Sequence, residues 1–142
     1  MNFDREKYNF TDSDIIIAAV PVYEGRLPAP ASERLGRLKG NGAKAVLITV
    51  FGNRAIDDAL LEIKNVMSEA GFVVVAGVEA SVQHSIMPQV APTRPDADDK
   101  KELAQFAQKV QEMLAEKGEK ETFRYIKEVV IPGKPFPWEE KI

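Results

Sequence analysis

The 142-residue chain carries 44% hydrophobic and 29% charged residues and a formal net charge of −3, the balance of one ordinary globular domain with a core of its own. It has no cysteine and one histidine, His84. This excludes disulfides, Cys-ligated zinc, ordinary iron–sulfur clusters and thiol catalysis within the chain, and leaves any multi-histidine zinc site dependent on a second chain. No Lys/Arg-rich run marks a nucleic-acid or anionic-membrane surface, and no apolar run approaches the ~20 residues of a membrane span. The opening MNFDREKYNF is mixed in charge and lacks an apolar leader segment, so a cytoplasmic address is expected.

Along the chain, short apolar runs alternate with helix-length amphipathic segments. Asp14 to Val20 (DIIIAAV) is β-branched and apolar at successive positions, which predicts a strand covered by helices on both faces. PVYEGRLP (21–28) follows at once, a turn that carries an aromatic ring and a guanidinium. A short helix is expected over Ser32–Leu38, with Gly40-Asn41-Gly42 as the turn into a second strand, Lys44–Val50. From Arg54 to Ala70, Ile56, Leu60, Ile63, Val66 and Met67 fall at steps of three and four, one apolar helical stripe closed by Gly71. A third strand is expected over Phe72–Val78. The last helix starts at a cap supplied by Asp96 or Asp98, buries Leu103, Phe106, Val110, Met113 and Leu114, and ends at Gly118. This βα rhythm predicts an α/β fold with an open parallel sheet and right-handed crossovers. Beyond Gly118, residues 119–142 read as a C-terminal arm or linker. Thr122–Ile131 suits a strand or a short helix, and Pro132–Trp138 is extended and proline-rich.

Ligands of open parallel sheets bind beyond the carboxyl ends of the strands. Three loops lie there: Pro21-Val22-Tyr23-Glu24-Gly25-Arg26, Phe51-Gly52-Asn53-Arg54, and the longer loop that opens at Glu79 and runs through His84 to Asp96. Tyr23 and Phe51 offer ring faces to a flat ligand, or else serve as core aromatics. Gly25 and Gly52 permit close backbone approach, or are plain turn glycines. Asn53 and Gln83 offer donors and acceptors, and Arg26 and Arg54 positive charge, Arg54 near a helix N-terminus that favours anions. Arg54 could equally pair with Asp57 or Asp58. No catalytic residue is assigned, since His84-Ser85 lacks the Gly-x-Ser-x-Gly elbow, and no metal site, since Asp96, Asp98 and Asp99 read as a helix start.

PVYEGRLP after the first strand, VFGNRAIDDALLEI after the second, HSI in the third loop and TRPDADDKKELAQFAQKV beyond it resemble the flavodoxin-like domain of the EFR1 flavoproteins, a family in which flavodoxin is fused to a ferredoxin-type domain. The resemblance covers residues 12–118. It implies a flavodoxin-like three-layer sandwich over 1–118, N-terminally truncated, whose three strands match the family's third, fourth and fifth. It also implies FMN as cofactor, with Pro21, Val22, Tyr23, Gly25 and Arg26 flanking one side of the isoalloxazine ring. Phe51, Gly52, Asn53 and Arg54 would flank the other, with Phe51 where the family usually has Tyr.

The family's Ser/Thr-Gly-Asn-Thr-type phosphate loop has no counterpart here, and neither has its Cys-rich part. The expected role is therefore an FMN-associated electron-transfer domain, with a redox partner protein. The alternative is an assembly module that has lost flavin binding. The strand at 14–20 would lack its usual neighbour, and its bare edge would be covered by the N-terminal segment, by Thr122–Ile131, or by another chain. A homo-oligomer or a separate subunit is the expected arrangement.

Overall fold

The computed structural model describes residues 8–53 and 57–116. In chain order the elements are β1 (Ile15–Pro21), α1 (Ala29–Gly36), β2 (Lys44–Phe51), α2 (Ala59–Glu69), β3 (Val73–Ser81) and α3 (Ala97–Glu116). The strands form one parallel sheet in the order β1-β2-β3. The α/β class with an open parallel sheet is thus observed, and it is compatible with a flavodoxin-like fold. No helix among the described residues is long and apolar enough to cross a membrane.

The two faces of the sheet are covered unequally. Ala18 and Val20 of β1, Ala45 and Leu47 of β2 and Val74 of β3 pack with Leu60, Ile63 and Met67 of α2, with Leu35 of α1 against them. On the opposite face α3 lays Val110 and Met113 on Val46, Val75 and Ala76. The cluster under α3 draws its buried residues from β2 and β3 and none from β1. Ile15 is 54% exposed and Ile17 69% exposed on the α3 side of β1. The expectation that β1 is sheathed on both faces is therefore corrected. It is buried on one face only, because α3 sits over β2 and β3.

Local rules account for most element ends. α1 starts earlier than the Ser32 expected from its pattern, since Pro28 stands at the N-cap and a proline lies in the first turn, where its missing N–H costs nothing. α2 ends in a Schellman motif. The N–H of Gly71, at φ +86°, donates to Ser68 O at 3.0 Å, and the N–H of Phe72 donates to Met67 O at 3.1 Å, while Phe72 and Met67 share the core. The start of α2 at Ala59 is later than the Arg54 expected, after Asp57 in the left-handed region at φ 43°. Arg54, Ala55 and Ile56 lie outside the described residues, as do Gly118 and the whole arm 119–142.

α3 is capped by Asp96. Its Oδ1 accepts from the N–H groups of Asp98 and Asp99, both at 2.9 Å, and Asp99 Oδ2 accepts in return from the Asp96 N–H at 2.9 Å. This is a capping box with aspartate in the third helical position.

The chain's described beginning is anchored at the other end of the sheet. Tyr8 stacks on Phe10 at 6.0 Å, and Phe10 meets the edge of Phe72 at 5.3 Å. Asn41 Nδ2 donates to Phe10 O at 3.0 Å. Residues 8–10 therefore lie by the start of β3, two strands away from the outer edge of β1.

Candidate functional site at the strand carboxyl ends

The loop after β1 is a tight hairpin. Tyr23 N–H donates to Arg26 O at 2.9 Å and Arg26 N–H to Tyr23 O at 3.0 Å. Glu24 and Gly25 between them have φ 52° and 76°, the positive pair that a two-residue hairpin of type I′ requires. Val22 N–H extends the ladder to Val50 O at 2.8 Å, and its side chain packs on the α1–α2 core. Tyr23, at the hairpin's base, is 63% exposed. A polar ring held out by a rigid turn is an available stacking surface rather than part of the core.

Arg26 does not stand free at this turn. Its Nε donates to Glu62 Oε2 at 2.8 Å, and the same oxygen accepts the Leu27 N–H at 3.0 Å. The hydrogen bond from Arg26 lowers the Glu62 carboxyl below its usual range, against the opposing effect of partial burial, and raises the guanidinium in turn. Glu62 of α2 thus fastens the hairpin to the sheet's helix layer, and the Arg26 charge is compensated. Gly25 is equally committed. A Cβ there would fall 2.8 Å from Cβ of Asp57 and closer still to its carboxylate.

After β2, Phe51 is half-buried, and strand alternation places it with Thr49 and Leu47 on the α1–α2 side. Gly52 follows, then Asn53 in the left-handed region at φ 59°, exposed. A Cβ on Gly52 would stand 2.7 Å from His84 Cδ2 and 3.1 Å from His84 Cα. The third loop is therefore packed directly on the second. Phe51 O accepts the Val82 N–H at 2.9 Å, and His84 Nδ1 accepts the N–H groups of Ile86 and Met87 at 3.2 and 3.1 Å. Nδ1 of His84 is thereby engaged as an acceptor within its own loop. Ile86 stands almost fully exposed at the loop's tip.

The three loops thus meet in one row at the strand ends. Pro21, Val22, Tyr23, Gly25, Arg26, Phe51, Gly52 and Asn53 all belong to that row, while Arg54 lies outside the described residues. Their tasks differ from the sequence expectation in three places. The space beside Gly25 holds Asp57, the space beside Gly52 holds His84, and Arg26 faces Glu62. Asp57, Glu62 and His84 are the residues that sequence reasoning missed as organisers of the site. Only Glu62 left a signal, an acid on the polar flank of a strongly apolar helix stripe.

Beneath the row lie buried polar groups. The hydroxyls of Thr49 and Ser81 are buried without a hydrogen-bond partner, at the carboxyl ends of adjacent strands. The acidic start of α3 is closed on itself. Arg94 Nε donates to Asp99 Oδ2 at 2.8 Å, and a second nitrogen of the guanidinium bonds the other carboxylate oxygen. This fork holds the Asp99 carboxyl down at about 2 despite its burial. No group of three or more His, Cys, Asp or Glu among the described residues could hold a metal ion. Comparison with family models, with curated proteins and with solved structures returned no match.

Proposed function

We propose that this chain is a flavodoxin-like, FMN-associated electron-transfer domain. The observation that supports it is the exposed Tyr23 ring, held by a type I′ hairpin at the end of β1, beside the Phe51-Gly52-Asn53 turn at the end of β2. Such a pair of rigid turns across neighbouring parallel strands suits a flat heteroaromatic ligand. Bound FMN would supply the electron chemistry. The chain would supply stacking from Tyr23, an apolar flank from Phe51, and edge contacts from Asn53 and the backbone of the two turns. Arg26, already paired with Glu62, would act by holding the hairpin rather than by giving its charge to the ligand. A separate redox protein would deliver or accept the electrons. Tyr23→Ala should weaken FMN binding by at least several-fold with the far-UV circular dichroism unchanged, and equal affinities would remove the ring contact from the account.

A second reading has its own support. The exposed Ile15 and Ile17 on β1 suit an assembly module that docks a further chain and binds no flavin. It predicts a stable oligomer that stays colourless after incubation with FMN and desalting.

A further inference from the structure

Among the described residues, no strand pairs with the outer edge of β1. Lys44 N–H donates to Asp14 O at 2.9 Å and Val22 N–H to Val50 O at 2.8 Å, so Asp14, Ile16, Ala18, Val20 and Val22 direct their backbone groups toward β2. By the two-residue period of a strand, the N–H and C=O groups of Ile15, Ile17 and Ala19 point the other way, off the sheet. No strand of the described residues lies there. The edge is apolar as well, with Ile15 and Ile17 both exposed, a combination that proteins rarely leave bare.

Topology names the place that the chain itself reaches next. α1 and α2 lie on one face while the strand order advances from β1 to β3, and α3 lies on the other face. A right-handed crossover from β3 through a helix on that second face reverses the direction of advance. The positions back toward β1 are filled by β2 and β1, so the first open one is the outer edge of β1. α3 runs antiparallel to the strands, its late residues Val110 and Met113 packing on Val46 and Val75, and its last described residue, Glu116, lies on the side where a strand parallel to β1 must begin. Six Cα steps separate Glu116 from Thr122 and span at most about 20 Å. The step required, some 10 Å from the helix layer to the sheet and roughly 10–14 Å across it, fits within that reach.

The sequence at that distance is suited to the edge. Thr122-Phe123-Arg124-Tyr125-Ile126-Lys127-Glu128-Val129-Val130-Ile131 is rich in β-branched and aromatic residues, and Pro132 would end a ladder. Of the N-terminal segment, the described residues Tyr8–Phe10 pack by Phe72 and not at this edge. We propose that residues 122–131 of this chain are the occupant of the β1 edge, adding a parallel strand beside Ile15–Pro21.

Amide hydrogen exchange of the full-length chain, read residue by residue by NMR over a range of concentrations, tests this. Ile17 and Ala19 amides should exchange at least ~100-fold more slowly than an unstructured chain, independently of concentration, with light scattering reporting a monomer. Val129→Pro should restore fast exchange at Ile17 and Ala19 while Leu47 stays slow. Exchange at the unstructured rate in the parent overturns the proposal. So does protection that grows with concentration alongside a doubled mass, which assigns the edge to a second copy, or protection that survives Val129→Pro.

Discussion

Ile17 and Val46 are register partners on neighbouring strands and share one face of the sheet, yet Val46 is 5% exposed and Ile17 69%. The difference of one strand decides whether an aliphatic side chain lies under α3. Val46→Ala should therefore cost about 2 kcal/mol, from lost burial and an unfilled space, whereas Ile17→Ala should cost less than about 1 kcal/mol. Urea denaturation of both variants checks the pair, and equal losses would place a cover over the β1 face.

Thr49 is fully buried with its hydroxyl unpartnered. A buried donor without an acceptor loses its water and gains nothing back. Replacing the hydroxyl with a methyl, Thr49→Val, should raise stability by about 1 kcal/mol, seen as a higher Tm in calorimetry. A fall in Tm would show that the hydroxyl is bonded in solution.

Asp99 supplies an acid-sensitive clamp. Its carboxyl lies at about 2 in the folded chain against an ordinary 3.8, chiefly because of the hydrogen bond from Arg94 and against the cost of burial. A group whose folded value is depressed binds its proton more readily when unfolded. The stabilisation is then complete above about pH 4 and is lost as pH falls toward 2. Asp99→Asn should cost roughly 1–2 kcal/mol at pH 7 and flatten the acid limb of the stability curve between pH 4 and 2. Stability against pH, measured by denaturant titration, reads this directly, and an unchanged acid limb would assign acid sensitivity to other carboxylates.

The parts legible in the sequence are those governed by near neighbours. The end of α2 could be read from the Met67 stripe and Gly71 because a Schellman motif is local, and the start of α3 could be narrowed to Asp96 or Asp98, of which Asp96 is the cap, because a cap reaches only three residues forward. The strand runs were legible because β-branched stretches of that length have few other uses. What could not be read was contact between distant segments. The Arg26–Glu62 bond joins residues 36 apart, and the packing of His84 on Gly52 depends on how the third loop folds back over the second. The one-sided burial of β1 was hidden for the same reason, since the run IIIAAV looks alike on both faces and its exposure is set by where α3 comes to rest.

The central claim is flavin binding at the strand ends, and the most direct measurement is titration of the full-length chain with FMN, following flavin fluorescence and the visible spectrum. Saturable quenching with a Kd at or below the micromolar range, together with a shifted flavin absorption band, is the expected result. Unchanged fluorescence up to millimolar FMN would contradict it and leave the assembly-module reading in its place.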